Sequence, residues 1–442
     1  MTKQLSRREF MRNAGLAGTG LALAACAPVA QDGAMDDGSM MAEKQTAYIF
    51  DYDPTGTDAW VEADQLFIEY FTEKYPDYEI IREQAPWAGF TEKLLTSIAG
   101  GSEYDVIYGY WQWLPLFIEN NVIGPLDDLI DADTEISADD FFDYAKETIE
   151  GETYGLAWFI SGWLHWYNLS AVNEAGATTP KEMNENGDWD YDAWYQFAKE
   201  YTSEQDGVPI YGYEMGSGRS VSVYVMLAWA WGTEQWNDDF SASIMDNQEN
   251  VALWKWIQQF YLEGLTPLPG SSTTEQPISY TNGRSMATMA GQWYTRTIVQ
   301  DGAPDLFDIG MVPFPTGPSG QYSVAALNSF YFSSSPGNVD PAWAWYKERS
   351  FSEAAAGIYA KIGGGRFPSI KRVAPATVYE WEDTEVYEAI RPILRTYRTS
   401  PKESEWINTY WNVAWDEMVL GTRPVEEILG QLAEESTALV NS

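Results

Sequence analysis

A single cysteine, Cys26, stands at the end of a basic and then uncharged leader, and that placement constrains what the rest of the chain can be. The leader opens with Lys3, Arg7, Arg8 and Arg12, continues uncharged from Ala14 to Ala25, and reaches Cys26 through Leu23-Ala24-Ala25. A run of about a dozen residues is too short to span a hydrocarbon core of ~30 Å. A basic head, a short apolar stretch and small residues before a cysteine mark an export signal rather than a folded element. With Cys26 used there, the folded portion has no disulfide, thiolate metal ligand or cysteine nucleophile. Its stability must come from its core.

The segment Ser6-Arg7-Arg8-Glu9-Phe10-Met11-Arg12 resembles a twin-arginine signal, an address read by a receptor. Leu23-Ala24-Ala25-Cys26 resembles a lipobox, in which Cys26 is acylated and becomes the mature N-terminus. Residues 1–26 are expected to be a lipoprotein signal with lipidation at Cys26. Residues 27–45, small, polar and acidic, read as a flexible tether. The expected location is outside the cytoplasm, in the periplasm or on the outer face of the membrane, with the lipid as the sole membrane attachment. An ordinary N-terminal helix with a buried cysteine leaves the order of arginine pair, apolar run and cysteine unexplained.

About 420 residues follow the leader, more than one core usually holds, so two lobes are expected. The net charge is -40, and loss of residues 1–25 removes four basic side chains and one acidic one to leave -43. Such a surface repels nucleic acid, whose binding requires clustered Lys and Arg. It also repels anionic headgroups. The acids are spread along the whole chain, which fits solubility better than an acidic site. His165 is the single histidine and sits among Trp163, Trp166 and Tyr167 in an apolar run. That setting reads as a core position in a buried strand, not as a catalytic base. No cofactor or metal is expected.

Thr46–Tyr52 reads as a strand. Ala59–Tyr75 has helical spacing at Trp60, Ala63, Phe67, Tyr70 and Phe71 and is closed by Pro76. Tyr78–Arg82 reads as a strand, Phe90–Ala99 as a helix stopped by Gly100-Gly101, and Asp105–Tyr108 as a strand. This alternation predicts a parallel sheet with crossover helices. Gly155–Asn168 reads as one apolar β run. Asp190–Tyr201 reads as an amphipathic helix capped by Asp188, and Val221–Trp231 as a buried helix. In a helix over Asn247–Leu262, Val251, Trp254, Ile257, Phe260 and Tyr261 share one side. Thr266–Gly270 and Pro313–Gly320 read as loops. Helices are expected over Pro341–Arg349, Ser352–Lys361, Thr384–Tyr397, Glu403–Leu420 and Pro424–Ala438.

The chain carries 21 tryptophans, many of them where strands end and loops begin: Tyr110-Trp111-Gln112-Trp113, Trp158, Trp163, Trp166, Trp229, Trp231, Trp293-Tyr294, Trp406, Trp411 and Trp415. Sugar rings offer apolar C–H faces and hydroxyls. A site for them needs flat aromatic platforms beside groups that donate and accept hydrogen bonds. For a single tryptophan, packing between helices is the commoner role; for the set, several lining a cleft is the expectation. Gly363-Gly364-Gly365-Arg366 lacks the Lys-Ser/Thr ending of a phosphate loop and reads as a turn where backbone approaches a ligand or the other lobe. There is no nucleophile elbow, HExxH, or GxGxxG after a strand.

Several stretches together resemble the extracellular solute-binding proteins of ABC importers, in the carbohydrate group that includes the maltodextrin-binding proteins. These are Tyr75-Pro76-Asp77-Tyr78-Glu79-Ile80, and Lys93-Leu94 through Ala99-Gly100-Gly101 to Tyr104-Asp105-Val106-Ile107, with Tyr104 where the family has proline. They continue with Gly124-Pro125-Leu126-Asp127-Asp128-Leu129, and Trp166-Tyr167-Asn168 followed by Asn173-Glu174-Ala175-Gly176. The last are Asn282-Gly283-Arg284-Ser285-Met286-Ala287 with Gly291-Gln292-Trp293, and Phe367-Pro368-Ser369. Their order and spacing cover nearly all of residues 46–442.

The resemblance implies an α/β clamshell of two lobes, each a mixed sheet flanked by helices. Residues 46–159 and 329–371 would form one lobe, and 160–328 and 372–442 the other. The chain would cross near Phe159–Gly162, return near Ala326–Phe330 and cross again near Ser369–Pro375. Ligand would lie between lobes that close by hinge bending, and a permease would recognise the closed form. The likeness makes Trp293 the leading platform candidate and puts Trp111 and Gln112, with the neighbouring Tyr110, in a ligand-facing loop. Ser161 and Trp163 fall at the first crossing, where maltodextrin binders carry an acid that this chain lacks. Glu214 falls where the family has an aromatic or acidic contact. Trp87 is a rim candidate, and Arg366 and Trp411 complete the set. The implied function is a monomeric, non-catalytic carrier of sugar or oligosaccharide. The alternatives are a lipid-anchored glycoside hydrolase, which needs two carboxylates about 5–10 Å apart across a cleft, or a binder of a polyamine, organophosphate or peptide.

Overall fold

The computed structural model describes residues 44–53, 58–215, 219–273, 277–360, 367, 369–372, 379–397 and 399–442. Cys26, the leader, most of the expected tether and Arg366 lie outside the described residues.

The strands are β1 (Gln45–Tyr52), β2 (Tyr78–Ala85), β3 (Val106–Tyr110), β4 (Lys146–Ile149), β5 (Glu152–Ser161), β6 (Trp163–Asn168), β7 (Ser203–Gln205), β8 (Val208–Ile210), β9 (Ala287–Gly291), β10 (Ile309–Val312), β11 (Ser323–Val324), β12 (Ala326–Phe332) and β13 (Leu394–Arg395). β1 pairs in parallel with both β2 and β3. The helices Asp58–Lys74 and Phe90–Ala99 provide the crossovers that the alternation predicts. The sheet then continues through antiparallel neighbours in the order β2-β1-β3-β12-β5-β4. A second sheet, β10-β6-β9, is antiparallel throughout.

The run read as one strand over Gly155–Asn168 is two. It divides at Gly162, with β5 in the first sheet and β6 in the second. The Gly162 amide donates to Gln292 Oε1 at 2.9 Å, which ties the crossover to the residue just after β9. The chain returns through β12, whose first residue, Ala326, pairs with Ser161.

Two hydrophobic cores follow the two sheets. One gathers Phe50, Phe67, Val106, Phe117, Tyr331 and Trp345. The other surrounds the helix Val221–Ala230, all ten residues of which are buried, with Trp166, Trp194, Trp254 and Phe314. Trp111, Ala145 and Ala157 join the second core although their sequence neighbours build the first. His165 is a core residue of β6. Its Nδ1 lies 2.9 Å from Tyr213 Oη, Trp194 and Phe314 pack against the ring, and burial keeps it neutral by pushing its pKa down.

Some local expectations need correction. The helix Tyr191–Tyr201 is capped by Asp190, whose side chain accepts from the Ala193 amide, and not by Asp188. The helix expected over Thr384–Tyr397 ends at Ile390, because Pro392 brings no amide hydrogen to continue it, and Leu394–Arg395 becomes β13 instead. Val251 is only partly buried, and Leu253 takes a place on the inner face of the helix Gln248–Leu262.

Buried charge fixes the end of β1. Arg82 bridges Asp51 at 2.6 Å and Asp64 at 2.8 Å, and Tyr359 Oη donates to Asp64. Burial pushes the Asp51 carboxyl up, and Arg82 opposes the shift. Removing one partner from such a group strands the others in a poorly solvated interior. Arg82→Met is expected to lower unfolding free energy by about 3–5 kcal/mol in a denaturant titration; an unchanged midpoint would contradict this role.

Burial also pushes the Glu147 carboxyl up to about 7 and Glu403 up to about 8. The native state therefore holds protons that the unfolded chain has already lost above about pH 5. These two groups make stability fall as pH rises from about 5 to about 8. The melting midpoint should decline across that window, and Glu403→Gln should raise it at pH 8 while changing little at pH 5. Equal effects of the substitution at both pH values would contradict the assignment.

Candidate ligand site

In a parallel sheet, ligands gather beyond the carboxyl ends of the strands. β1 and β3 end here on aromatic residues, Tyr52 and Tyr110, and Trp87 follows two residues after β2. Trp87 is 46% exposed, unusual for so large an apolar side chain. Its ring stands edge-on to Tyr52 at 6.3 Å and to Tyr110 at 5.0 Å, and lies 4.8 Å from Trp113. Tyr52 leads on to Trp60 at 5.5 Å, and Trp60 to Trp158 at 6.2 Å. The result is an arc of rings across the strand ends, with Tyr110 and Trp111 at its other limb, 4.0 Å apart.

That limb meets the segment around β13. Trp111 is 4% exposed and stands perpendicular to Tyr397 at 5.6 Å, and Gln112 Nε2 donates to Tyr397 Oη. Trp111 and Gln112 are thus tied to Tyr397, and Trp111 and Tyr397 both line a cavity of about 580 Å³.

A second set forms on the second sheet. Trp293, half-buried, stands perpendicular to Trp163 at 4.8 Å. Its ring folds back over Gly291, where a Cβ would fall 1.7 Å from the indole, so no other residue fits at that position without displacing the ring. Trp163 and Ser161 are themselves buried and lie at the crossover. Trp163 packs perpendicular to the Trp293 ring. Glu214 bridges to Thr288 on β9 and accepts from the Tyr280 amide at 2.7 Å. Burial pushes its carboxyl up to about 7, against the pull of that amide.

Trp411 is fully buried in a π-helical turn, packs on Tyr224, Trp254 and Trp406, and donates through Nε1 to the Arg219 carbonyl at 2.6 Å. It is a core residue, not a platform. Tyr52 and Trp60 belong to the arc but escaped the sequence reading. The signal that would have found Tyr52 is its place at the end of a strand with parallel neighbours on both sides.

Residues 67–387 match the family model described as bacterial extracellular solute-binding protein. The chain belongs to that family. Binding proteins of Brucella abortus and Brucella suis are 24% identical over 279 residues, which cover 62% of this chain and 64% of theirs. The match therefore spans less than two thirds of those relatives. Among solved structures, an ABC substrate-binding protein of Listeria monocytogenes in complex with cycloalternan aligns with TM-score 0.74 and 17% identity, over 90% of this chain and 99% of that one. The sugar-binding protein MalE of Xanthomonas citri aligns with TM-score 0.73 and 17% identity, over 90% and 98%. The GacH receptor of Streptomyces glaucescens, solved unliganded and with acarbose, aligns with TM-score 0.72 and 16% identity, over 90% and 100%. At these identities the likeness establishes the fold of a two-lobed binding protein.

The Gly291 contact gives a direct check. Gly291→Ala should drive the Trp293 indole off Trp163 and change the near-ultraviolet circular dichroism of the folded protein, with the far-ultraviolet spectrum retained. An unchanged near-ultraviolet spectrum would mean that the two indoles are not held together as described.

Proposed function

We propose that this solute-binding protein captures a sugar or oligosaccharide outside the cytoplasmic membrane and delivers it to the permease of an ABC importer. The observation that carries the proposal is the arc of Tyr52, Trp87 and Tyr110 across the ends of β1–β3, with Trp293 on the second sheet. Aromatic faces stack on the C–H faces of sugar rings, while side chains such as Glu214 supply acceptors for hydroxyls. Structural neighbours solved with cycloalternan and acarbose support a carbohydrate ligand. In this reading residues 46–159 with 329–371, and 160–328 with 372–442, are lobes that close on ligand. Closure follows only from tighter binding to the closed form. The protein acts as a monomeric carrier and not as an enzyme.

Lipid on Cys26 would hold the carrier at the membrane; among the described residues, no helix is long and apolar enough to cross it. Cys26→Ala should release the protein from the membrane fraction of the expressing cell, and unchanged fractionation would contradict lipid anchoring.

The test of the ligand is titration with the carbohydrate that gives the largest melting shift in a library screen. Trp87→Ala and Trp293→Ala should each weaken binding about tenfold or more, a loss of at least ~1.4 kcal/mol, with the melting curve of the unliganded protein little changed for Trp87→Ala. Unchanged affinity in both variants would overturn the site, and hydrolysis of the bound sugar would overturn the carrier role.

A further inference from the structure

Arg349, on the helix Val339–Phe351, is 3% exposed and lies among the rings of the first core. Its guanidinium carbon is 3.6 Å from the ring centre of Tyr359 and 4.0 Å from that of Trp158. It sits in the angle between these two rings, which stand edge-on to each other at 5.6 Å. Phe330 and Phe67 are the next rings, at 5.3 and 5.6 Å. Two of its nitrogens, Nε and Nη1, have no hydrogen-bond partner, and Nη2 approaches Asp64 only to 3.9 Å. Trp158 in turn meets Trp60 edge-on at 6.2 Å, and Trp60 meets Tyr52 at 5.5 Å. The guanidinium therefore stands directly against one limb of the strand-end arc.

We propose that Arg349 is a positioning residue of the strand-end site: it fixes the plane of Trp158 and, through Trp158, the neighbouring rings Trp60 and Tyr52. The proposal rests on the reading of the arc as a ligand site. Burial of a cation carries a desolvation cost that an aliphatic side chain of similar length avoids. Filling of core volume therefore does not account for an arginine here. What an aliphatic chain lacks is a preference for one orientation of its neighbours. A cation is attracted to the face of an aromatic ring and not to its edge, and more strongly where water is excluded. Rotation of Trp158 would turn a positive ring edge toward the guanidinium. Asp64, which also bridges Arg82 and accepts from Tyr359 Oη, supplies the counter-charge. A lysine would keep the charge but is a compact, strongly hydrated point with no flat surface to lay on an indole.

The test compares Arg349→Lys and Arg349→Met with the unaltered full chain. In the unliganded protein, Arg349→Lys should change the near-ultraviolet circular dichroism while the far-ultraviolet spectrum is retained. The change should shrink on a Trp60→Phe background, because part of it arises from Trp60. No change, or a change of equal size on both backgrounds, would show that the arc does not depend on Arg349 and would overturn the proposal. With the carbohydrate selected by the melting screen, Arg349→Lys should weaken binding about tenfold, and Arg349→Met at least as much. A purely structural role would lower the melting midpoint and leave the affinity of the folded protein unchanged, and that result would overturn the proposal. Tyr359→Leu removes the other ring beside the guanidinium and leaves the arc residues intact. It should reproduce the loss of affinity and covers the case in which neither Arg349 variant folds; unchanged affinity there would also overturn the proposal. If no carbohydrate binds the unaltered chain, the carrier reading fails, and the spectral comparison still decides whether Arg349 positions the arc.

Discussion

Burial of aromatic surface is the constraint on which this structure rests. Cys26 is the chain's single cysteine, so no disulfide within the chain links the two sheets, and each is secured by rings packed against one another. The same residue type then serves two purposes. Inside each core, Trp166, Trp194, Trp254 and Trp345 are wholly enclosed. At the ends of β1–β3 the packing of ring on ring continues outward to Trp87, which is 46% exposed. A site of this kind is the continuation of a core past the last strand residue, and its rings are held by their neighbours before any ligand arrives.

Two crossovers connect this arrangement. The chain leaves the first sheet at Gly162 and comes back at Ala326, and those points are bound to each other through the pairing of Ser161 with Ala326. Gln292, the residue before Trp293, accepts from the Gly162 amide and so ties the first of them to the end of β9. Trp293, the proposed platform, is therefore one residue from the junction.

Local features were legible in the sequence where the period of hydrophobicity is strong. The first strand, the helix Asp58–Lys74, β2 and the helix Phe90–Ala99 follow from spacing and from Pro76 and Gly100-Gly101, and their alternation implies the parallel order. β4 was not legible, because it is four residues long and lies at a sheet edge, and the placement of β12 beside β3 depends on pairing more than 200 residues apart. The break at Gly162 was hidden because both flanking strands are buried on both faces and read as one apolar run. Among the candidate site residues, Trp293 follows from the motif Gly291-Gln292-Trp293, and the contact of its ring over Gly291 gives the spacing its reason. Trp411 was misread because an indole in a helix looks the same in sequence whether its face closes on a core or opens on a cleft. Tyr52 was overlooked because its position acquires meaning only once β1 is known to lie between two parallel neighbours.

Trp87 at the strand ends and Trp293 on the second sheet are the rings proposed to grip a sugar. The most direct test is a glycan array probed with the full chain, followed by a crystal structure with the glycan retained most strongly. Sugar rings stacked on Trp87 and Trp293 are the predicted result. A glycan bound away from both rings, or an array on which nothing is retained, would contradict it.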